Sequence, residues 1–282
     1  MTGPSPASDP AALRRSADAG DAEAAHRLAV LTAMGLGVAP DWNAALDLLA
    51  RAAELGSATA IAQQDLLQGW GGGLPAWLNA PAPRPLLADG PAVLAIEGFL
   101  PPAICEHLSA RAAGISAPAL VYDPRTGEAR REAVRTNDAA RFELPEMDVV
   151  LAVVRERIAR TAGLPVAGLE WTQVLRYAVG QSFDWHVDWL DPANPAYAED
   201  LRRRGQRIAT CLVYLNEDYE GGETAFEAGG LRWRGRKGDA LLWANTLPDG
   251  SADPRTRHAG LPPTRGKKRV LSQWLRGRAP RP

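Results

Sequence analysis

The chain is poor in several residue types, and each scarcity excludes something. It has two cysteines in 282 residues, Cys105 and Cys211. They lie far apart and match no zinc spacing, so a disulfide-stapled scaffold is excluded and a reducing compartment is expected. No run approaches the about 18 consecutive apolar residues of a membrane-crossing helix, so no membrane partner is expected. The opening, MTGPSPASDPAALRRS, lacks the apolar stretch of a secretory signal. A cytoplasmic protein is the expectation. Neither charge dominates: 32 basic residues against 33 acidic ones give a net charge of −1. Histidine is also scarce, with four in the chain, which narrows any search for metal ligands.

What is present is the composition of an ordinary globular protein, 46% hydrophobic and 23% charged. The length fits one large domain, or one large and one small. The charge is unevenly spread. After Asp253 the chain has no acidic residue, while it has Arg255, Arg257, Arg265, Lys267, Lys268, Arg269, Arg276, Arg278 and Arg281. Such a tail suits a nucleic-acid contact, a solvated rim or a site for an anionic cosubstrate.

Residues 11 to about 70 read as Ala-rich helices. Ala17, Gly20, Ala22 and Ala24 recur as Ala53, Gly56, Ala58 and Ala60, an offset of 53 − 17 = 36 residues. Gly35 and Gly37 would make the intervening turn, and Asp41 would cap the next helix. The pattern resembles a Sel1-like repeat, a helix–turn–helix unit related to tetratricopeptide repeats. The resemblance implies a surface for a protein partner, or a structural appendage packed on the C-terminal domain. Residues 1–72 are taken as this module, and the Gly- and Pro-rich stretch 73–90 as a linker.

From residue 91 to 282 the pattern is that of a second domain. PAVLAIEGFL reads as a strand and PPAICEHLSARAAG as a helix. ALVYDPRTGEARREAVRT reads as two strands about Thr126-Gly127. EMDVVLAVVRERIARTAG is a helix with apolar positions at Val149, Val153 and Ile158. LEWTQVLRYAV, SFDWHVDW, RIATCLVYLN, GLRWRG, DALLWAN and KRVLSQWLR come next as short strands. Helices first and antiparallel-looking strands afterwards predict an α+β fold with a double-sheet barrel.

Within these strands, His186 and Asp188 stand two apart and share a face, with Trp185 and Val187 on the other. His258 is the best candidate for a third ligand. His26 and His107 fall in helices and are expected to be packing or surface residues. Two imidazoles and a carboxylate form the facial triad of non-haem iron oxygenases, and the same set can hold zinc for hydrolysis. Ten residues after His258 (268 − 258 = 10), in the next strand, comes Lys268, a cation suited to a carboxylate.

The segments LRYAVGQSFDWHVD, GQRIATCLVYLNEDYEGGETAF, RGRKGDALLWAN and LPDGSADPRTRHAGLPPTRGKKRVLSQWLR, in this order, resemble the prolyl 4-hydroxylase branch of the iron(II)/2-oxoglutarate dioxygenases. The resemblance runs from about residue 91 to 276. It implies a double-stranded β-helix (jelly-roll) core with flanking helices. It gives Fe(2+) to His186, Asp188 and His258, and the distal carboxylate of 2-oxoglutarate to Lys268. Tyr177, Tyr214 and Thr224 would line the cosubstrate pocket. O2 is the second cosubstrate, and L-ascorbate is an accompanying reductant. The implied substrate is a prolyl residue in a peptide or protein, or a free amino acid. Arg135 and Trp189 are the candidate substrate contacts. The polar stretch WLDPANPAYAEDLRRRGQ reads as a lid or a surface connection. Two departures stand out. Asn137 comes after Arg135-Thr136 where relatives often have serine, and Arg269 stands where many have an aromatic residue. The rival readings are an AlkB-like nucleic-acid demethylase, a non-catalytic adaptor built on the repeat, and a zinc hydrolase. Lys268, in place of an arginine anchor, argues against the demethylase.

Overall fold

The computed structural model describes residues 9–87, 90–122, 129–130 and 134–277. The expected Thr126-Gly127 turn, Arg278 and Arg281 lie outside them. The chain divides into two compact units, Met1–Asn79 with Leu144–Arg157, and Ala80–Glu143 with Ile158–Pro282. Among the described residues, no helix is long and apolar enough to cross a membrane.

The first unit is helical. Its helices are α1 (Pro10–Asp18), α2 (Ala22–Met34), α3 (Trp42–Glu54), α4 (Ala58–Trp70) and α5 (Gly73–Leu78). Local chemistry sets their ends. The Asp21 carboxylate accepts from the amides of Glu23 and Ala24, Asp41 from Ala44, and the Ser57 hydroxyl from Ala60. Gly35 closes α2 at a φ of +68°, a conformation that side chains with a Cβ resist. Ala25, Ala29, Ala45, Ala52 and Ala60 are wholly buried, so neighbouring helices approach closely. The stretch read as linker begins with a helix, α5, whose Trp77 and Leu78 are buried.

Two pairs of helices bury little on their own; stacked helical repeats need about three units. Residues 144–157, which open the long helix Val149–Ala162, supply further surface within this unit. Ala152 packs with Ala33, Ala45, Met34 and Trp42. Arg27 donates to the Leu144 carbonyl at 2.7 Å. Arg157 donates to the carbonyls of Ala76, at 2.8 Å, and Trp77, at 2.9 Å. The expected apolar positions Val149, Val153 and Ile158 are buried, and so are Val150, Leu151, Ala152 and Val154. The helix is therefore apolar on more than one side.

Gln63 is fully buried in this unit. Its Oε1 accepts from the Val149 amide at 3.0 Å, and its Nε2 meets His26 Nε2 at 2.8 Å. His26 is thus a packing histidine, as expected. Gln63→Ala orphans a helix-opening amide and an imidazole, and should cost about 1–3 kcal/mol of stability. Urea unfolding checks this; an unmoved midpoint would mean that the amide contributes nothing.

The second unit is built on strands β1 (Arg84–Pro85), β2 (Val93–Ile96), β3 (Ala117–Pro118), β4 (Val121–Tyr122), β5 (Ala129–Arg130), β6 (Asp138–Phe142), β7 (Thr172–Tyr177), β8 (Phe183–His186) and β9 (Arg207–Tyr214), and then β10 (Glu220–Gly221), β11 (Thr224–Phe226), β12 (Arg232–Trp233), β13 (Ala240–Ala244), β14 (His258–Gly260), β15 (Pro263–Arg265) and β16 (Lys268–Arg276). Eight form one sheet in the order β1-β2-β13-β9-β16-β7-β6-β3, and four a second in the order β12-β11-β14-β8. Every pairing is antiparallel, and side chains from both sheets meet in one core that holds Leu175, Leu212, Phe226, Leu241 and Trp243. This is the jelly roll expected from the sequence. Helix α6 (Pro102–Ala113) belongs to this unit.

The polar stretch 189–206 is structured. Asn194 caps a 3₁₀ turn, Pro195–Tyr197, which leads into a short helix, Ala198–Arg204. Glu199 and Asp200 open that helix and Arg202–Arg204 close it, as the helix dipole favours. The Gln206 amide closes the base, accepting from the Leu190 amide at 2.8 Å and donating to its carbonyl at 2.7 Å. Asp200 pairs with Arg276.

Candidate metal and cosubstrate site

Strand register brings the two distant histidines together. β14 lies antiparallel to β8, with His258 directly opposite His186. Their ring centroids are 4.3 Å apart, the separation of a cross-strand pair. Asp188 comes two residues after His186 and turns into the same space. Its Oδ1 is 3.7 Å from His186 Nε2, and its Oδ2 is 3.7 Å from His258 Nε2. Ligand atoms of these three residues lie within 4.8 Å of one another, and theirs is the one such cluster found among the described residues.

The outer nitrogens settle which atoms are free. His186 Nδ1 lies 2.7 Å from the Asp184 carbonyl and His258 Nδ1 2.9 Å from that of Thr256. A carbonyl only accepts, so each Nδ1 carries a proton, and in the neutral ring it is Nε2 that presents the lone pair. Burial pulls the His186 pKa down to about 3, with the neighbouring His258 acting in the same direction. Burial alone would raise the Asp188 pKa, but His258, His186 and the Thr210 hydroxyl hold it below the usual range. Thr210 donates to Asp188 Oδ2 at 2.7 Å and accepts from Asn245 Nδ2 at 2.9 Å. Two imidazoles that turn Nε2 inward and one oriented carboxylate, converging on one point, fit a divalent transition metal.

On the wall of the same cavity sits Lys268, 1% exposed. Among the described residues its ammonium has one hydrogen bond, a long one of 3.4 Å to Thr224 Oγ1. Tyr214 Oη lies 2.6 Å from that same oxygen and so orients the Thr224 hydroxyl. The Lys268 Nζ also lies 5.2 Å from the Tyr177 ring centre and 5.4 Å from that of Tyr214. Burial drops the Lys268 pKa to about 7, and the approach of Glu223 offsets this only partly. A buried ammonium with no carboxylate bonded to it is costly unless an anion arrives. Tyr177 is pushed up to about 12 by burial, so its phenol stays protonated, and it has no hydrogen-bond partner among the described residues. A Cβ at Gly260 would come within 3.1 Å of the Tyr177 oxygen. Glycine there leaves the phenol its place. The four residues named in the sequence as a cosubstrate pocket therefore do converge.

The two candidate substrate contacts stand differently. Arg135 is buried, with its guanidinium 4.7 Å above the Phe183 ring, and that ring stacks on His186 at 3.6 Å. Asn137, the departure noted in the sequence, holds it: Arg135 Nε donates to Asn137 Oδ1 at 3.3 Å. Trp189 adjoins Asp188 in the chain but is not among the residues that line the metal cavity. Its indole N–H is buried without a hydrogen-bond partner among the described residues.

Sequence reasoning misses Phe183, Thr210, Leu212, Trp243 and Trp274, all of which line the cavity. Alternation alone would place three of them. Lys268, Val270, Ser272 and Trp274 share one face of β16, and Thr210, Leu212 and Tyr214 one face of β9. Nothing local marks Phe183 or Trp243.

A jelly roll with a buried two-histidine, one-carboxylate cluster beside a buried lysine defines a class, the metal-dependent oxygenases of the double-stranded β-helix fold. Comparison with known proteins narrows it. Residues 172–276 match the model of the 2OG-Fe(II) oxygenase superfamily. The chain is 34% identical over 205 residues to prolyl 4-hydroxylase 5 of Arabidopsis thaliana, covering 66% of this chain and 68% of that protein. It is 33% identical to the prolyl 4-hydroxylase subunit alpha-1 of Rattus norvegicus, over 72% of this chain and 38% of that one. The viral collagen prolyl hydroxylase of Paramecium Bursaria Chlorella virus-1, solved as a 2OG complex, superposes with a TM-score of 0.51 at 26% identity, over 67% of this chain and 98% of that one. The chain belongs to the 2OG-Fe(II) oxygenase superfamily, in its prolyl 4-hydroxylase-like branch. It is accordingly a 2-oxoglutarate-dependent dioxygenase that uses Fe(2+), 2-oxoglutarate and O2.

Proposed function

We propose that His186, Asp188 and His258 hold the iron, that Lys268 binds the distal carboxylate of 2-oxoglutarate, and that the enzyme hydroxylates a prolyl C–H bond. The observation that carries this reading is the buried Lys268 ammonium, with no carboxylate bonded to it among the described residues, in the wall of the triad's own cavity. Bound Fe(2+) supplies the coupling of 2-oxoglutarate oxidation by O2, to succinate and CO2, with hydroxylation of the substrate. The chain's own residues do the positioning. The Nε2 lone pairs of His186 and His258 and the Asp188 carboxylate converge as ligands. Lys268, with the hydroxyls of Thr224 and Tyr177, donates to the distal carboxylate, and charge-assisted bonds of this kind contribute about 1.5–3 kcal/mol each. Tyr214 fixes Thr224. Leu175, Leu212 and Val270 keep water from the cavity between lysine and triad.

The relatives are named for prolyl hydroxylation, which favours a peptide, a protein or free proline as substrate. Arg135, held over Phe183 beside His186, and Trp189, with its unpartnered indole N–H, are the expected substrate contacts. L-Ascorbate is the expected reductant, and the cytoplasm the expected compartment. The domain reading is a Sel1-like module over 1–72 ahead of the dioxygenase domain. Its helices meet residues 144–157 of their own chain, which favours a structural role over recruitment of a partner.

The test is incubation with Fe(2+), 2-oxoglutarate, O2 and a proline-rich peptide or free proline, with mass spectrometry for a gain of about 16 Da, one inserted oxygen, and assay of succinate. Succinate formed without any gain on prolyl substrates would sink the prolyl assignment and leave the cosubstrate reading intact.

A further inference from the structure

A second pair of pockets lies on the far side of the large sheet from the His186–Asp188–His258 cluster. Successive residues of a strand face opposite ways. Lys268 points into the core, so its neighbour Arg269 points out, toward α6. There two adjoining cavities, of about 300 Å³ and about 630 Å³, share Ser109, Ala113 and Arg269 in their walls. Each falls in or near the size range of small-molecule sites, about 300–1,000 Å³.

Among the described residues no carboxylate is bonded to the Arg269 side chain, although Asn216 and, to a lesser degree, the Arg269 charge hold the Asp218 carboxyl below its usual range. The cross-strand neighbour of Arg269, Arg176, pairs with Asp138. Lys237 pairs with Glu106 at 2.9 Å. Glu217 accepts from the Lys237 amide at 3.1 Å, and Asp218 accepts from Asn216. Arg269 itself is anchored through its backbone, since its amide donates to Asn216 Oδ1 at 2.6 Å. Its half-buried guanidinium makes no hydrogen bond or ion pair among the described residues. The rest of the basic tail is largely committed: Arg255 pairs with Asp253, Arg257 with Glu227, Arg265 with Glu220, and Arg276 with Glu170. The Ser109 hydroxyl, across the groove on α6, is also buried without a partner among the described residues. A half-buried guanidinium and an unused hydroxyl that face one cavity are donors waiting for an acceptor.

We propose that the groove between α6 and the outer face of the eight-stranded sheet binds a small organic anion, with Arg269 and the Ser109 hydroxyl as donors to its carboxylate or phosphate head. The head occupies the smaller cavity, where Arg176 and Arg269 outnumber Asp138. The body extends into the larger one, where Glu217 and Asp218 lie, so the body is uncharged or cationic. Apolar contact for the body comes from Ala110, Ala113 and Leu215.

The test uses the full chain with Mn(II) and saturating 2-oxoglutarate, so that the metal cavity is filled, and calorimetric titration with benzoate, phenyl phosphate and terephthalate. Saturable one-site binding of benzoate or phenyl phosphate is expected, and whichever binds tighter tells a carboxylate site from a phosphate site. Terephthalate, with its second carboxylate facing Glu217 and Asp218, should bind more weakly than benzoate. Arg269→Ala should weaken binding at least tenfold, Ser109→Ala severalfold, and Arg269→Lys should keep part of it, with melting temperatures confirming that each variant is folded. No saturable binding by either monoanion, terephthalate binding as tightly as benzoate, or unchanged affinity in folded Arg269→Ala would overturn the proposal.

Discussion

Asp188→Ala is expected to abolish succinate formation from 2-oxoglutarate and to weaken Mn(II) or Fe(2+) binding by more than about 100-fold. The floor comes from a comparison of layers: groups that merely orient a metal ligand cost about 10–100-fold when removed, and Asp188 is argued to be a ligand itself. It is the only anion of the cluster and sits between the two Nε2 atoms, 3.7 Å from each. Without it two imidazoles remain, a ligand set with no anionic oxygen for Mn(II) or Fe(2+). The fold should survive, because Arg207 keeps its ion pair with Glu170, although Arg207 and Arg135 both lose the nearby Asp188 charge. Thr210→Val provides the graded comparison. It takes away the 2.7 Å hydrogen bond that orients Asp188 and should fall in the range of about 10–100-fold, with the triad intact. Titration monitored by electron paramagnetic resonance of Mn(II) reads both variants. Metal affinity in folded Asp188→Ala equal to that of the parent would remove Asp188 from the triad.

The order of effects also shows what the sequence can convey. His186 and Asp188 are legible because strand periodicity is local; two residues apart means one face. His258 stands out from a small set of four histidines and through resemblance. The reason it reaches the others, its register opposite His186 in β14, is a long-range pairing that no local pattern states. Spacing singles out Lys268, but its burial, the source of its chemistry, depends on two sheets closing over it. The helical N-terminal region is legible from its caps and its 36-residue offset (53 − 17). That residues 144–157 cluster with those helices is not, since Gln63 and Val149 are 86 residues apart. The stretch 189–206 reads as a loop because its helix has only seven residues, too few to show a periodicity.

Lys268 carries the second large effect, a dependence of 2-oxoglutarate affinity on pH. In the ligand-free protein burial sets its pKa at about 7, and only the charged form is suited to a carboxylate. The apparent dissociation constant should therefore scale as 1 + 10^(pH − 7), rising about 30-fold from about pH 6.0 to 8.5 with Mn(II) saturating. Three of the groups around it lie outside that window: His186 is held near 3, Asp188 below the usual range, and Tyr177 near 12. Lys268→Met should lose most of the affinity and all of the slope. Lys268→Arg, charged at every pH, should keep some affinity on a flat profile. Stability should move the other way. A lysine whose pKa is lower folded than unfolded binds more protons when unfolded, so between about pH 7 and the ordinary lysine range the ligand-free protein gains stability as pH rises. Lys268→Met removes that buried charge and should raise the melting temperature of the ligand-free protein while it loses the cosubstrate. A lysine kept for structure alone would give the opposite result: a lower melting temperature in Lys268→Met, with 2-oxoglutarate affinity level across the same pH window.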